Sequence, residues 1–263
     1  MLVIITLRDY TNSNDEHFFT HKIYNKKCSF NCMLNFDDFE VLTFDCYGTL
    51  IDWESGILSA IKPILYNHNI DFDDDQILEL YAEIEVKIEK EDYISYKNVL
   101  RRVVQDFGKK LNFKHSFHET EYLVKTFDSW VPFSDTVDAL NKLKTKFKLA
   151  ILSNVDDDLF AISAKHLQVK FNYIITAEQV GSYKPSLKNF KFAINKIGIS
   201  QDKIIHIAQS LYHDIIPAKK LGLSTIWINR RKGKKGFGAT PASSAKPDME
   251  FPDLKSLVST IFY

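Results

Sequence analysis

Val41-Leu42-Thr43-Phe44-Asp45-Cys46-Tyr47-Gly48-Thr49-Leu50-Ile51-Asp52 is the stretch whose reading decides the fold. Its apolar start reads as a buried strand that ends on a carboxylate and then turns sharply. An Asp at the C-terminal mouth of a central parallel strand is well placed to act as a nucleophile. Gly48 permits the tight turn, and Thr49 sets a hydroxyl beside the carboxylate. Taken alone, Asp45 reads more simply as a cap for the turn. Asp52, directly before a helical pattern, is most simply a helix cap.

Downstream, the period changes from strand to helix. Ile57, Leu58, Ile61, Ile64 and Leu65 recur at helical spacing. Asp73, Asp74 and Asp75 open a second helix, with apolar positions Ile77, Leu78, Tyr81, Ile84 and Ile88. A third carries Val99, Leu100, Val103, Val104 and Phe107, with Gly108 as its stop, and a fourth covers about 117–129. No strand interrupts residues 53 to 132. From Val131-Pro132-Phe133 onward strands and helices alternate. The strands are Phe147 to Leu152, Tyr173 to Thr176, Ile204 to Ala208 and Thr225 to Ile228; Ser134 is read as the cap of the helix through Val137, Leu140 and Leu143. Alternation of this kind predicts an α/β fold with a doubly wound parallel sheet, and active groups outside the carboxyl ends of its strands. Arg230 to Pro247 reads as a loop.

Three more stations lie where strands end or shortly beyond. Ser153-Asn154 offers a hydroxyl, an amide and free backbone N–H groups, fit to hold a carboxylate or phosphate, or simply to make a turn. Lys184-Pro185 follows Gly181-Ser182-Tyr183; a lone Lys in this lysine-rich chain reads on its own as solvent-exposed. The fourth is Ile205-His206-Ile207-Ala208-Gln209-Ser210-Leu211-Tyr212-His213-Asp214. His206 is read as a satisfied core histidine, His213 as a surface residue, Arg230-Arg231-Lys232 as a solvated loop, and Tyr93 and Tyr96 as packing residues.

The segment from Phe44 to Asp52 resembles the first motif of the haloacid dehalogenase superfamily, and the later stations follow in that superfamily's order. Most of its phosphatases carry a second Asp two residues after the nucleophile. Tyr47 at that place is similar to the 2-haloacid dehalogenase branch. The resemblance implies a Rossmann-like core of residues 33–52 and 133–263, with an inserted all-helical cap domain at 53–132. It implies a hydrolase in which Asp45 attacks C2 of a short 2-haloalkanoic acid, a small-molecule anionic substrate, and forms an ester that water opens to the 2-hydroxy acid. Lys184 and Asp214 complete the catalytic set; Tyr47, Thr49, Ser153, Asn154, Gln209 and Ser210 line the substrate. No metal or other cofactor is expected. Magnesium belongs to the alternative, a small-molecule phosphatase working through an aspartyl-phosphate, against which Tyr47 and Gln209 speak. A catalytically inactive binding member of the family is the third reading. Two departures bear on the substrate: no Arg lies between Asp45 and Leu100, and Phe190 stands where the dehalogenases have a Tyr.

Bulk composition narrows the partners. The 263 residues, 45% apolar and 26% charged, are those of an ordinary globular chain. Thirty-four basic and thirty-four acidic residues cancel, so the broad positive field of a nucleic-acid binder is not expected. No apolar run approaches the roughly 20 residues of a membrane helix. Three cysteines (Cys28, Cys32, Cys46) make no disulfide framework, and a cytoplasmic location is expected. Cys28 and Cys32 lack a second ligand pair for zinc. Residues 1–32 are read as a loosely ordered N-terminal extension or an effect of start-codon choice, and a homodimer is left as an open expectation.

Overall fold

A computed structural model describes residues 34–263; the expectations for residues 1–32, Cys28 and Cys32 among them, fall outside the described residues. Six strands, all parallel, form a sheet in the order β3-β2-β1-β4-β5-β6. They are β1 (Val41–Phe44), β2 (Lys148–Ser153), β3 (Tyr173–Thr176), β4 (Ile204–Ala208), β5 (Ser224–Ile228) and β6 (Met249–Phe251). Strand β1 is buried along its whole length because both its faces are covered. Leu42 and Phe44 join Leu149, Ile151, Ile205 and Ile207 in the larger core, while Val41 joins Ala150, Leu152 and Ile204 in a second core. The period of two along each strand produces this division.

Register then sets the chemistry. Phe44 stands level with Ile151 of β2 and Ile207 of β4. Asp45, Ser153 and Gln209 are therefore brought out at one edge, where β1 parts from its neighbours.

The segment between β1 and β2 is helical, as expected: α1 (Trp53–Asn67), α2 (Asp74–Glu89), α3 (Tyr96–Lys110), α4 (Phe117–Thr120), α5 (Tyr122–Lys125) and a 3₁₀ turn at Phe127–Ser129. This is the inserted helical cap. Asp52 caps α1 by accepting the Ser55 N–H, and Asp73 with Gln76 forms a capping box on α2. The chain leaves and returns through a paired neck, in which Asp52 donates to Val131 O at 2.9 Å and Phe133 to Leu50 O at 3.1 Å. The remaining helices are α6 (Thr136–Leu143), α7 (Asp157–Leu167), α8 (Ala177–Val180), α9 (Leu187–Ile197), α10 (Ile216–Lys220) and α11 (Leu254–Phe262). No helix among the described residues is long and apolar enough to cross a membrane.

Several local expectations are corrected. Gly108 lies inside α3, where a Cβ would sit 2.8 Å from Phe113 O; the glycine allows the chain to fold back, and Phe113 N donates to Gly108 O at 2.9 Å. The single helix over 117–129 is three short turns. Ser134 does not cap α6: Asp135 occupies the N-cap, its carboxylate accepting from Arg230 and from the Leu254 N–H. Strand β6 and helix α11 were not anticipated.

Candidate active site

Lys184 is the hub. Its ammonium is buried and donates all three of its protons: to Asp45 Oδ1 at 2.8 Å, to Asp214 Oδ1 at 2.7 Å and to Leu152 O at 2.9 Å. None remains for a ligand, so Lys184 acts here through charge and position. Asn154 fixes its backbone, accepting the Lys184 N–H at 2.7 Å and donating to Lys184 O at 3.1 Å.

Asp45 has its second oxygen occupied as well. Thr49 donates to Asp45 Oδ2 at 2.7 Å and accepts the Gln209 backbone N–H at 2.8 Å. The turn that allows this depends on Gly48, at φ +87°, where a Cβ would stand 2.9 Å from Trp53 Nε1. Arg230 braces the same turn by donating to Thr49 O at 3.0 and 3.2 Å.

Asp214 comes from a π-helical turn, Leu211–Ile215, directly after β4. His206 Nε2 lies 2.9 Å from Asp214 Oδ1, and its Nδ1 lies 2.9 Å from Thr43 Oγ1. The ring thus bridges Asp214 to Thr43, whose hydroxyl also lies 3.2 Å from Ile205 O. The core histidine expected at 206 is thus also the support of Asp214. Asp214 Oδ2 is buried and has no partner.

The electrostatics follow from burial and the single ammonium. Burial pushes Asp45 above its ordinary range, and the charge of Asp214 adds to this against the pull of Lys184. Burial would raise Asp214 too, but Lys184 and His206 hold it low. Burial disfavours the Lys184 charge, yet Asp214 and Asp45 keep it above the usual lysine range.

Of the nine residues singled out in the sequence, Asp45, Lys184, Asp214, Ser153, Asn154 and Ser210 line one small cavity of about 30 Å³, and Tyr47 borders it. Ser153 Oγ is buried without a partner. Tyr47 places its hydroxyl 2.9 Å from Ser163 Oγ and packs edge-on against Phe127 and Trp130. Ser210 Oγ accepts the His213 N–H at 3.0 Å. Thr49 touches Asp45 without lining the cavity. Gln209 lines a different one, of about 420 Å³, beside Gly48 and Arg230.

Sequence reading missed the cap's contribution. Glu85 and Glu89 of α2 both face the small cavity. Glu85 Oε1 accepts from Tyr81 at 3.0 Å and from Tyr96 at 2.8 Å, and burial pushes its carboxyl up to about 7. Glu89 accepts from Asn154 Nδ2 at 3.2 Å, and burial with the nearby Glu85 holds it well above the carboxylate range. The signal was spacing: residues 85 and 89 fall four and eight after Tyr81, on the buried side of the helix. His213, expected at the surface, is buried against Ser210 and Glu89, and desolvation lowers it to about 4. Arg230 and Arg231 are not a solvated pair: they are held by Asp135 and by Glu54 with Asp75.

For magnesium this donor set is thin, since that ion takes hard oxygens in near-octahedral array. Asp45 Oδ1 and Asp214 Oδ1 both turn to Lys184, Gln209 brings only an amide, and Tyr47 is bonded to Ser163. No group of three or more His, Cys, Asp or Glu among the described residues is arranged to hold a metal ion. The oxygens left over are Asp214 Oδ2, which has no partner, and the Glu85 and Glu89 carboxyls of the cap.

This fold and this site define a class, and comparison with known proteins agrees. Residues 39–222 match the haloacid dehalogenase-like hydrolase family, and the chain belongs to it. It is 22% identical over 239 residues to (S)-2-haloacid dehalogenase 4A of Burkholderia cepacia, covering 86% of this chain and 93% of that protein. It is 26% identical over 196 residues to glyceraldehyde 3-phosphate phosphatase of Methanothermobacter thermautotrophicus, covering 71% and 84%. The L-2-haloacid dehalogenase of Xanthobacter autotrophicus, solved with chloropropionic acid covalently bound, superposes with a TM-score of 0.70 at 16% identity, covering 85% of this chain and 98% of that one.

Proposed function

We propose that this hydrolase cleaves a carbon–halogen bond in a short 2-haloalkanoic acid through an ester on Asp45. One observation carries the reading: Asp45 is held by Lys184 and Thr49, while the residue two places on, Tyr47, has its hydroxyl turned to Ser163. A nucleophile is oriented there with no acid at the position that would protonate an oxygen leaving group. Halide departs without a proton, so this arrangement suits it.

In this reading the helices of 53–132 act as a cap over a core of 33–52 and 133–263. An Asp45 oxygen attacks C2, and the carbon–halogen electron pair leaves with the halide. Water then attacks the Asp45 carboxyl carbon. The bond from that carbon to the ester oxygen breaks, the 2-hydroxy acid leaves with an oxygen from Asp45, and one proton goes to solvent. Asp214 Oδ2 is the acceptor that positions the water, with His206 and Lys184 holding the carboxylate in place. Lys184 keeps Asp45 ionised, and Ser153 is the free hydroxyl for the substrate carboxylate.

The test is chloride release from 2-chloropropionate without added metal, by wild type and by Asp45→Asn. Wild type in H₂¹⁸O should carry the label into Asp45 after turnover. No chloride and no label over a panel of haloacids would remove the reading. A phosphatase is the second reading, favoured by the buried carboxyls Glu85 and Glu89, which can protonate a leaving oxygen. Magnesium-dependent phosphate release without halide release would establish it.

A further inference from the structure

The cap side of the cavity is at odds with a simple anionic substrate. Among the described residues lining the cavity, Lys184 alone carries a full positive charge, and it is faced by Asp45, Asp214, Glu85 and Glu89. Lys184 is already matched by Asp45 and Asp214 at 2.8 and 2.7 Å. His213 adds no charge, since its ring is desolvated. Glu85 and Glu89 therefore stand without a cationic partner. Their contacts are Tyr81, Tyr96 and the Asn154 amide, with the His213 ring 3.7 Å from Glu89. Burial favours the protonated carboxyl at both, and once either ionises, a bound carboxylate or phosphate with no cation between is repelled.

Polar atoms without partners line the same cavity. Ser153 Oγ and His213 Nε2 are buried and unpaired, and so is Asp214 Oδ2. The Ser210 hydroxyl, 3.1 Å from His213 Nδ1, leaves Nε2 as the protonated nitrogen when Ser210 donates. The cavity thus presents free donors at Ser153 and His213, the latter 3.7 Å from Glu89 Oε2, and at Glu85 and Glu89 carboxyls that a bound ammonium would ionise. This is the complement of a small molecule with a negative and a positive end. Its volume, about 30 Å³ with the cap as seated, has room for roughly one or two waters, so a ligand must lift the cap to enter.

We propose that the substrate is zwitterionic: a short 2-haloalkanoic acid that also bears an ammonium group, recognised by Glu85 and Glu89 of the cap while its carboxylate meets Ser153 and His213. This rests on the Asp45 reading for the reacting bond and adds the second recognition element. Bound ammonium supplies the missing positive charge, so the cap closes more favourably on the right substrate than on a plain haloacid.

The test separates recognition from chemistry. Equilibrium binding is measured for lactate and for 3-amino-2-hydroxypropionate, which differ only by the ammonium group, with wild type, Glu85→Gln and Glu89→Gln. Wild type should prefer the amino compound by about ten- to a hundredfold, the scale of a charge-assisted hydrogen bond. The preference should fall in both variants while lactate affinity holds or rises. Equal binding by wild type, a preference surviving both substitutions, or magnesium bound by wild type and lost in Glu89→Gln would overturn the proposal. Halide release is then compared for 2-chloropropionate and 3-amino-2-chloropropionate. No halide from either, with the binding preference intact, removes the Asp45 chemistry and leaves the recognition. Halide from both with no binding preference removes the recognition alone. Thermal melts of both variants report folding, and either variant suffices for the test.

Discussion

Asp156, on the loop that follows β2, accepts the backbone N–H of Tyr96 at 2.7 Å and so caps a helix of the insertion from the core. It also accepts the Lys97 N–H at 3.0 Å. Helix α3 needs this because its own N-cap, Ser95, makes no side-chain hydrogen bond. The loop that carries Ser153 and Asn154 is thereby tied to the seat of the cap, and α3 in turn carries Tyr96 to Glu85.

Removing that cap gives the first prediction. Asp156→Ala leaves two helix N–H groups without acceptors and should cost about 1–2 kcal/mol in urea unfolding. Hydrogen exchange should rise first at residues 96–98. Loss of stability with unchanged protection there would mean that the carboxylate acts elsewhere.

A second concerns the acid limb of activity. In the proposed reaction Asp45 must be ionised to attack, and burial sets its proton affinity above that of an ordinary Asp. kcat/KM should therefore fall as pH drops through a value above 3.8. Lys184→Met removes the opposing charge, so the limb should move to still higher pH. That variant also leaves Asp45 and Asp214 facing one another without a cation, at about 3–5 kcal/mol in stability. An acid limb that does not move in Lys184→Met would separate Asp45 from the titration.

Much of this was legible because it rests on short-range pattern. The run from Val41 to Phe44 and the strands at 173–176 and 204–208 are apolar segments with turn residues at their ends, and buried parallel strands demand such runs. Asp45, Lys184 and Asp214 were found by type and order, and the register of β1 with β2 and β4 brings them together. What was not legible depends on tertiary partners. His213 looks exposed beside Asp214 until α2 covers it. Arg230 looks like loop charge until Asp135 and Thr49 take its donors. Strand β6 has only three residues and, among the described residues, pairs only with β5. Glu85 and Glu89 sat on an apolar helix face in plain view, but a charge there becomes meaningful only once that face is known to cover the cavity that Asp45 lines.

Gly56 and Trp130 give a third prediction, one about packing. A Cβ at Gly56 would stand 2.5 to 2.6 Å from three atoms of the Trp130 ring, which is fully buried against Phe127. Trp130 lies just before the chain returns to the core, so the glycine sets how closely α1 approaches the neck. Gly56→Ala should destabilise by about 1–3 kcal/mol through overpacking, despite alanine's better helix propensity. A stabilised variant would mean that the ring moves freely.

The fourth follows from Glu85. It is buried, and its carboxyl rises from 4.5 to about 7. The groups around it are Tyr81 and Glu89 on its own helix, Tyr96 on α3, and Asp45, Lys184, His213 and Asp214 from the core side of the cavity. A carboxyl raised on folding binds its proton more tightly in the native state than in the unfolded chain. Its stabilisation is complete below about 4.5 and is lost as pH rises through about 7. Glu85→Gln keeps an oxygen for the two tyrosines and has no proton to lose. The stability of Glu85→Gln relative to wild type should therefore grow between pH 4.5 and 8, by up to about 3 kcal/mol. Part of that gain comes through Glu89, which is relieved of a like charge. Urea unfolding at a series of pH values reads the difference directly, because groups that do not sense Glu85 cancel between the two proteins. A flat difference would mean that Glu85 is already ionised and paired at low pH. A ligand that brings an ammonium group to Glu85 should flatten it as well, by replacing the proton with a charge.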